Sequence, residues 1–199
     1  MSVVIGLTRH FETDWNADHR LQGRTDRPLT DAARARAAEL SIPPPWNSAR
    51  LIATPLQRAR DTAALIAGAA PDIEPDLTEL SWGAWEGRRG SDLIADPNSG
   101  YAHVEEWGWD MAPPGGGESP AMAWARIHPA LARIASAGDP ALLVVHRGVM
   151  RVIMAKAWDW HFDSEEPFRI KRERIYPITL APDGTPTGHG EEVRMRPAP

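Results

Sequence analysis

The chain has 199 residues, a net charge of −5 and no cysteine. Its length fits one domain with a sizeable core, and its average hydrophobic and charged content argues against disorder and against a coiled coil. The absence of cysteine excludes disulfides, thiolate catalysis and cysteine-ligated metal sites. The acidic balance argues against a broad nucleic-acid-binding face, so any affinity for phosphate must come from a local cluster of arginines.

The N-terminal segment predicts neither a signal peptide nor a membrane anchor. The short apolar run from Val3 to Leu7 follows no basic leader and ends before Arg9. No run in the sequence approaches the roughly 20 apolar residues that span a bilayer. We therefore expect a cytoplasmic protein with no membrane partner.

The start of the chain predicts a buried strand, a polar loop and a helix. Residues 2–8 have the β-branched content of a strand, and residues 9–29 read as the loop. Thr30 is suited to cap a helix that runs to about Leu40. The consecutive prolines within residues 41–47 predict a connector.

A short strand over residues 50–53 is expected to lead into a second helix. Thr54 is suited to be the N-cap of this helix and Pro55 its first residue, and the helix should run to about Ala67. Arg58 then falls in the first turn. A phosphate at this point would meet both a guanidinium and the positive end of the helix dipole.

The rest of the chain alternates strands and helices around one unusual segment. Residues 80–117 are rich in Trp, Gly and Pro and predict a lid-like insertion within a single domain of residues 1–199. The other expected elements are a strand near Ile73, a helix from Glu118 or Ser119 to about Ala137, a strand at 141–145, a helix at about 148–158, a strand at 175–180 and a strand near Val193. This alternation predicts a three-layer α/β/α sandwich with a mostly parallel central sheet.

Three of the predicted strands end in residues suited to phosphate chemistry. Arg9 and His10 follow the first strand, Arg58 follows the second, and His146 follows the strand at 141–145. If these strands are parallel neighbours, their carboxyl ends open on one edge of the sheet, where ligands of open α/β folds bind. The two histidines and two arginines would then meet, a set that can bind a phosphoryl group and carry it covalently.

Several segments resemble the motifs of one known family, the histidine phosphatase superfamily, also called phosphoglycerate mutase-like. They are the segments 7–16 (LTRHFETDWN), 21–30 (LQGRTDRPLT), 54–63 (TPLQRARDTA), 79–87 (ELSWGAWEG), 116–119 (GGES) and 145–151 (VHRGVMR). They occur in the family's order over about three quarters of the chain. Together they are far more specific than an isolated Arg-His pair.

The resemblance implies a phosphoglycerate mutase-like fold with His10 as the nucleophile. An attacking imidazole must be unprotonated at one nitrogen while the other donates to a fixed acceptor, a role that a backbone carbonyl in the loop can fill. Arg9, Arg58 and a protonated His146 would gather the phosphoryl oxygens. Asn16 and Arg24 would add weaker contacts.

The resemblance also implies a carboxyl group that protonates the leaving oxygen and then deprotonates water. Glu79 matches the family's donor position at the start of its segment, and Glu86 is the rival at the end. Two residues depart from the family pattern. Phe11 replaces a small residue beside His10 and would narrow the pocket, and Arg147 replaces a glycine beside His146 and would contact phosphate or extend into solvent.

The tryptophans and the other histidines admit plainer explanations. The insertion holds Trp82, Trp85, Trp107 and Trp109, which would pack a core that lacks phenylalanine or line an aromatic pocket for an organic leaving group.

The histidines outside the motifs are His19, His103, His128, His161 and His189. They lack metal-ligand spacing, so we expect no metal site and no cofactor.

These observations favour a metal-independent phosphatase that hydrolyses a small-molecule phosphomonoester through phospho-His10. Two alternatives stay open: a phosphoglycerate mutase-type phosphotransferase, whose family members tend to be longer, and a non-catalytic phospho-ligand binding protein. An exposed edge strand or tryptophan patch would support a homodimer.

Overall fold

The computed structural model describes residues 1–101 and 107–198. Within these residues the strands are β1 (Val3–Arg9), β2 (Leu40–Ser41), β3 (Arg50–Ala53), β4 (Asp72–Ile73), β5 (Ala141–Val145), β6 (Arg174–Leu180), β7 (Pro186–His189), β8 (Val193–Arg194) and β9 (Arg196–Pro197). The helices are α1 (Asp14–Ala17), α2 (Asp31–Ala38), α3 (Gln57–Ala67), α4 (Gly90–Ala95), α5 (Pro120–Ser136) and α6 (Arg147–Trp158). Single 3₁₀ turns lie at Trp46–Ser48, Pro75–Leu77 and Gly83–Trp85.

The main sheet has the strand order β4-β3-β5-β1-β6-β7, with β8 paired to β6. The strands β4, β3, β5 and β1 run parallel to one another, whereas β6 pairs antiparallel with β1 and with β7. β5 lies between β3 and β1, with Leu143 opposite Ile52 on one side and Leu7 on the other. The carboxyl ends of β1, β3 and β5 therefore lie together.

The sheet separates two apolar clusters because successive side chains of a strand point to opposite faces. On β5, Leu143 and Val145 pack with α5 and α6, while Leu142 and Val144 pack with α2 and α3. Every residue of this strand is fully buried, as expected for a central parallel strand covered on both faces. The predicted mostly parallel sheet between helical layers is confirmed.

The predicted elements differ from the structure mainly at helix ends. The Thr30 hydroxyl accepts from the Ala33 amide at 3.1 Å, so this predicted N-cap is present. Ser119 is the N-cap of α5. The prediction for α3 was wrong, because this helix begins at Gln57 with Leu56 as its N-cap. The Thr54 hydroxyl instead forms a hydrogen bond with His146 Nε2. This contact between separate elements replaces the helix cap expected from the sequence.

The segment 80–117 builds a small apolar cluster of its own. Trp85, Leu93 and Trp107 are buried together, with Trp82 and Tyr101 packed against them. Trp82, Trp85 and Trp107 thus belong to this small core, whereas Trp109 packs against the main one. Trp82 and Trp107 also line the cavity described below. Residues 102–106, including His103, lie outside the described residues, and movement of the segment as a lid stays a prediction. In the part of the chain that is described, no helix is long and apolar enough to cross a membrane.

Gly184 makes the turn between β6 and β7 and offers a test of the packing. Its φ is +86°, and a Cβ there would collide with the backbone of Ala132 in α5. We expect Gly184→Ala to lower the free energy of unfolding by about 2 kcal/mol or more, from strain and overpacking. Gly188→Ala is the matched control, since a Cβ there meets nothing within 4 Å. Urea denaturation of both variants measures the difference; equal losses would contradict this packing.

Candidate active site

The two motif histidines meet at the carboxyl edge of the sheet. His10 follows β1 and His146 follows β5, and the His10 amide donates to the Val145 carbonyl at 3.0 Å. This bond extends the parallel pairing of the two strands by one residue. The ring centroids of the histidines are 5.2 Å apart, so the juxtaposition inferred from the sequence is present.

The His10 ring is held in one tautomer. Its Nδ1 lies 2.6 Å from the Phe11 carbonyl oxygen, which can only accept, so Nδ1 carries the proton and Nε2 does not. Burial lowers the pKa of His10 well below its usual value, and the charges of Arg58 and Arg9 act in the same direction. The ring is therefore neutral, with an available lone pair on Nε2.

His146 is also neutral, which differs from the protonated imidazole expected above. Its Nδ1 accepts from Arg58 Nε at 3.3 Å, and its Nε2 donates to the Thr54 hydroxyl at 2.8 Å. Burial lowers its pKa well below the usual value, and the charges of Arg58 and Arg9 act in the same direction. An anion beside the ring would oppose these effects and raise the pKa.

Arg58 lies fully buried behind His146. Its Nη1 donates to the Thr25 carbonyl at 3.0 Å and its Nη2 to the Gly23 carbonyl at 2.5 Å. The Glu86 carboxylate binds the same loop from outside, accepting from the amides of Gly23 and Thr25. Glu86, the rival proton donor, thus holds the loop that covers Arg58 and is not part of the cavity lining.

A cavity of about 160 Å³ opens beside His10. Its lining residues are Arg9, His10, Asn16, Arg20, Leu21, Gln22, Glu79, Trp82, Tyr101, Trp107, Arg147, Gly148 and Arg151. Arg9 Nε and Gln22 Nε2 are buried and find no hydrogen-bond partner among the described residues. Burial, with the charges of Arg172 and Arg147, lowers the pKa of Arg9 to about 9, so its guanidinium remains charged at neutral pH. The cavity is therefore built to receive an anion.

Glu79 places a carboxyl group in this cavity at the start of α6. Its carboxylate accepts from the amides of Leu80, Gly148 and Val149 at 2.9, 3.0 and 3.1 Å. Burial raises the pKa of Glu79, and these amide hydrogen bonds partly oppose the increase. A Cβ on Gly148 would lie 2.5 Å from Glu79 Oε1, so a larger residue there would displace the Glu79 carboxylate from its present position.

The other predicted site residues take different places. Asn16 lines the cavity, where it donates to Gln22 and accepts from Arg172 at 2.9 Å. Arg24 does not line it; this side chain is half exposed and pairs with Glu118. Phe11 points into the core beside α2 and α3, so it does not narrow the pocket. Arg147 both lines the cavity and pairs with Glu166.

Several cavity residues were missed in the sequence, namely Arg20, Gln22, Tyr101 and Arg151. Arg151 was detectable, because it stands four residues after Arg147 on a predicted helix and so shares its face. Tyr101 and Arg20 have no comparable local signal. Across residues 1–101 and 107–198, no group of three or more His, Asp or Glu side chains could hold a metal ion.

The neutral buried histidines predict a pH effect on stability. Below pH 6.5 the unfolded chain binds protons at these positions that the folded chain does not, so the free energy of unfolding falls as pH falls from 7 to 5. We expect His146→Asn to reduce this slope by up to about 1.4 kcal/mol per pH unit. Denaturation at each pH measures it, with His19→Asn, in an exposed loop, as the control. The same slope change in both variants would contradict the assignment.

Comparisons with known proteins identify the family of this chain. The family model of the histidine phosphatase superfamily (branch 1) matches residues 5–187. The adenosylcobalamin/alpha-ribazole phosphatase of Salmonella typhimurium is 30% identical over 176 residues, covering 80% of this chain and 85% of that protein. Phosphoglycerate mutase-like protein 4 of Arabidopsis thaliana is 30% identical over 161 residues, covering 77% and 70%.

A solved structure shares the fold. The alpha-ribazole phosphatase from Shigella flexneri superposes with a TM-score of 0.74 at 25% identity, covering 91% of this chain and 92% of that one. The sequence match spans nearly the whole chain, and the fold agrees with it. This chain belongs to the histidine phosphatase superfamily of enzymes.

Proposed function

We propose that this protein is a metal-independent phosphatase that hydrolyses a small-molecule phosphomonoester through a phosphohistidine at His10 Nε2. The carrying observation is the His10 tautomer. The Phe11 carbonyl holds the proton on Nδ1, which leaves Nε2 as a nucleophile at the wall of a cavity lined with arginines. Relatives named as phosphatases support this reading.

In the first step, His10 Nε2 attacks phosphorus and the bond to the leaving oxygen breaks. Glu79 gives that oxygen its proton, and burial favours the protonated form of Glu79 that this step needs. The charge of the transition state lies on the non-bridging oxygens. Arg9 lies in the cavity wall with an unpartnered buried N–H, so it can stabilise that charge without first breaking a protein contact.

In the second step, the Glu79 carboxylate takes a proton from water, the water oxygen attacks phosphorus, and the P–N bond breaks. Inorganic phosphate leaves, His10 is neutral again, and Glu79 is protonated for the next cycle. Arg58 donates a hydrogen bond from its Nε to His146 Nδ1 and acts through that ring. Its positive charge lies behind His146.

A phosphoglycerate mutase-type reaction is the second candidate, because relatives named as probable phosphoglycerate mutases match at 34% and 35% identity. It would use the same phosphohistidine and return the phosphoryl group to a second hydroxyl instead of to water. Product analysis with 3-phosphoglycerate separates the two: isomer formation without release of inorganic phosphate supports the mutase.

The main test is hydrolysis of 4-nitrophenyl phosphate with excess chelator, combined with acid quenching to trap the phosphoenzyme. We expect activity in chelator, an acid-labile phosphoenzyme, and a loss of at least about 10³-fold in kcat/KM for His10→Ala. His19→Asn, which replaces an exposed histidine, is the matched control. Activity that requires an added metal, or that survives His10→Ala, would refute the proposal. Phosphate binding without a phosphoenzyme would indicate a binding protein.

The role of Glu79 is tested by changing the leaving group. We expect Glu79→Gln to lower kcat/KM for an alkyl phosphate by about 10²–10⁴-fold, because an alkoxide needs the proton that glutamine cannot give. The loss for 4-nitrophenyl phosphate should be much smaller, since its leaving group is stable as an anion. Glu86→Gln is the control, and any loss there should be equal for both substrates. An equal loss for both substrates in Glu79→Gln would contradict proton donation.

A further inference from the structure

The outer part of the cavity holds more positive charge than one phosphoryl group needs. A phosphomonoester carries a charge of about −2 at neutral pH; Arg9 in the cavity lining, and the charge of Arg58 buried behind His146, oppose it. Arg20 is already engaged with Asp18 and with the Gly87 carbonyl. The surplus charge lies at Arg147 and Arg151, which belong to the cavity lining.

Arg147 and Arg151 project from the same face of α6, one turn apart, and share a single carboxylate. Arg147 Nη2 and Arg151 Nε each contact Glu166 Oε2 at 2.9 Å. One carboxylate cannot neutralise two guanidinium groups, so the pair keeps a net positive charge. Glu166 fixes the positions of the two arginines and leaves part of their charge unmatched.

Arg151 is the more buried of the two arginines. Only 5% of it is exposed, and its Cζ lies 5.0 Å from the Trp160 ring centroid and 4.9 Å from that of Phe162. Its Nη2 is buried and has no hydrogen-bond partner in the described parts of the chain. A buried charged donor without a partner is costly, and an oxyanion is the ligand that satisfies it best.

The side chains near this pair indicate what joins the two anionic groups. Trp82, Tyr101 and Trp107 line the same cavity, and the Trp107 ring lies 5.7 Å from Trp82 and 5.6 Å from Tyr101, centroid to centroid. This apolar wall suits the carbon skeleton of a leaving group. Arg147 also lines an outer groove with Arg169 and Lys171, whose charges are partly offset there by Glu165 and Glu166.

We propose that Arg147 and Arg151 form a second oxyanion subsite, and that the substrate is a phosphomonoester whose leaving group carries a carboxylate or a second phosphoryl group. The phosphoryl group that reacts lies at His10, the carbon skeleton lies along the aromatic wall, and the second anion contacts the two arginines. This inference rests on the proposed phosphatase function for the position of the first group.

The test compares probes that differ in one charge. They are 3- and 4-carboxyphenyl phosphate, the corresponding neutral carbamoylphenyl phosphates, and 1,4-phenylene bisphosphate. Binding is measured calorimetrically with His10→Ala, which does not turn the probes over, and kcat/KM is measured with the wild type. We expect the anionic probes to be favoured over the carbamoyl probes by about tenfold or more, as for a charged hydrogen bond. The carboxylate and bisphosphate arms show which oxyanion is preferred.

Variants then assign the preference to the two arginines. In Arg147→Gly and in Arg151→Met we expect the ratio between anionic and carbamoyl probes to fall towards one, and in Arg151→Lys we expect part of it to remain. Arg147→Gly alters a side chain that is about half exposed and keeps the test valid if Arg151→Met fails to fold. Arg133→Ala, an exposed arginine paired with Glu74 and Asp76 far from the cavity lining, is the matched control.

Two results would overturn the subsite: equal affinity for anionic and carbamoyl probes, or a preference that both Arg147→Gly and Arg151→Met retain. Failure of the phosphatase function has a different signature. In that case the wild type releases no phosphate from any probe, while the calorimetric preference in His10→Ala and its loss in the arginine variants still support the subsite.

Discussion

The parallel pairing of β1 with β5 is the constraint on which the site depends. It places two residues that are 136 positions apart in the sequence at the same sheet edge, and the hydrogen bond from the His10 amide to the Val145 carbonyl extends it to the first catalytic candidate. β5 is buried on both faces, so its register is held by the two apolar clusters. A slip by one residue would turn His146 away from His10.

This arrangement concentrates positive charge around two imidazoles that are themselves uncharged. Burial and the neighbouring guanidinium groups lower the pKa of both rings. The Phe11 carbonyl fixes the tautomer of His10, and Arg58 and Thr54 fix that of His146. The positive charge available to an anion therefore comes from arginines, while His10, the proposed nucleophile, keeps a lone pair on Nε2. The pKa of Glu79 is instead raised, because burial in the same cavity disfavours its charged form. The same burial thus keeps the His10 imidazole neutral and shifts the pKa of the Glu79 carboxyl group upwards.

Some disagreements between sequence and structure have a common origin in contacts between residues that lie far apart in the sequence. Thr54 is of a residue type that commonly caps helices, but its hydroxyl forms a hydrogen bond with His146 and α3 begins three residues later, at Gln57. Phe11 was expected in the pocket by its position beside His10, but its side chain packs under α2 and α3 while its carbonyl serves the site. Arg24 lies in a matching motif, yet it pairs with Glu118 outside the cavity lining.

The sequence by itself determined the alternation of elements, the parallel strands at 50–53 and 141–145, and the motif residues His10, Arg58, Glu79 and His146, because apolar runs, caps and motif order are local signals. Only the tertiary structure placed Glu79 in the cavity lining and Glu86 outside it, made both histidines buried and neutral, and brought Arg20, Tyr101 and Arg151 to the cavity. Those outcomes depend on burial and on the distances between side chains from separate elements. Neither quantity is encoded in the spacing of residues along the chain.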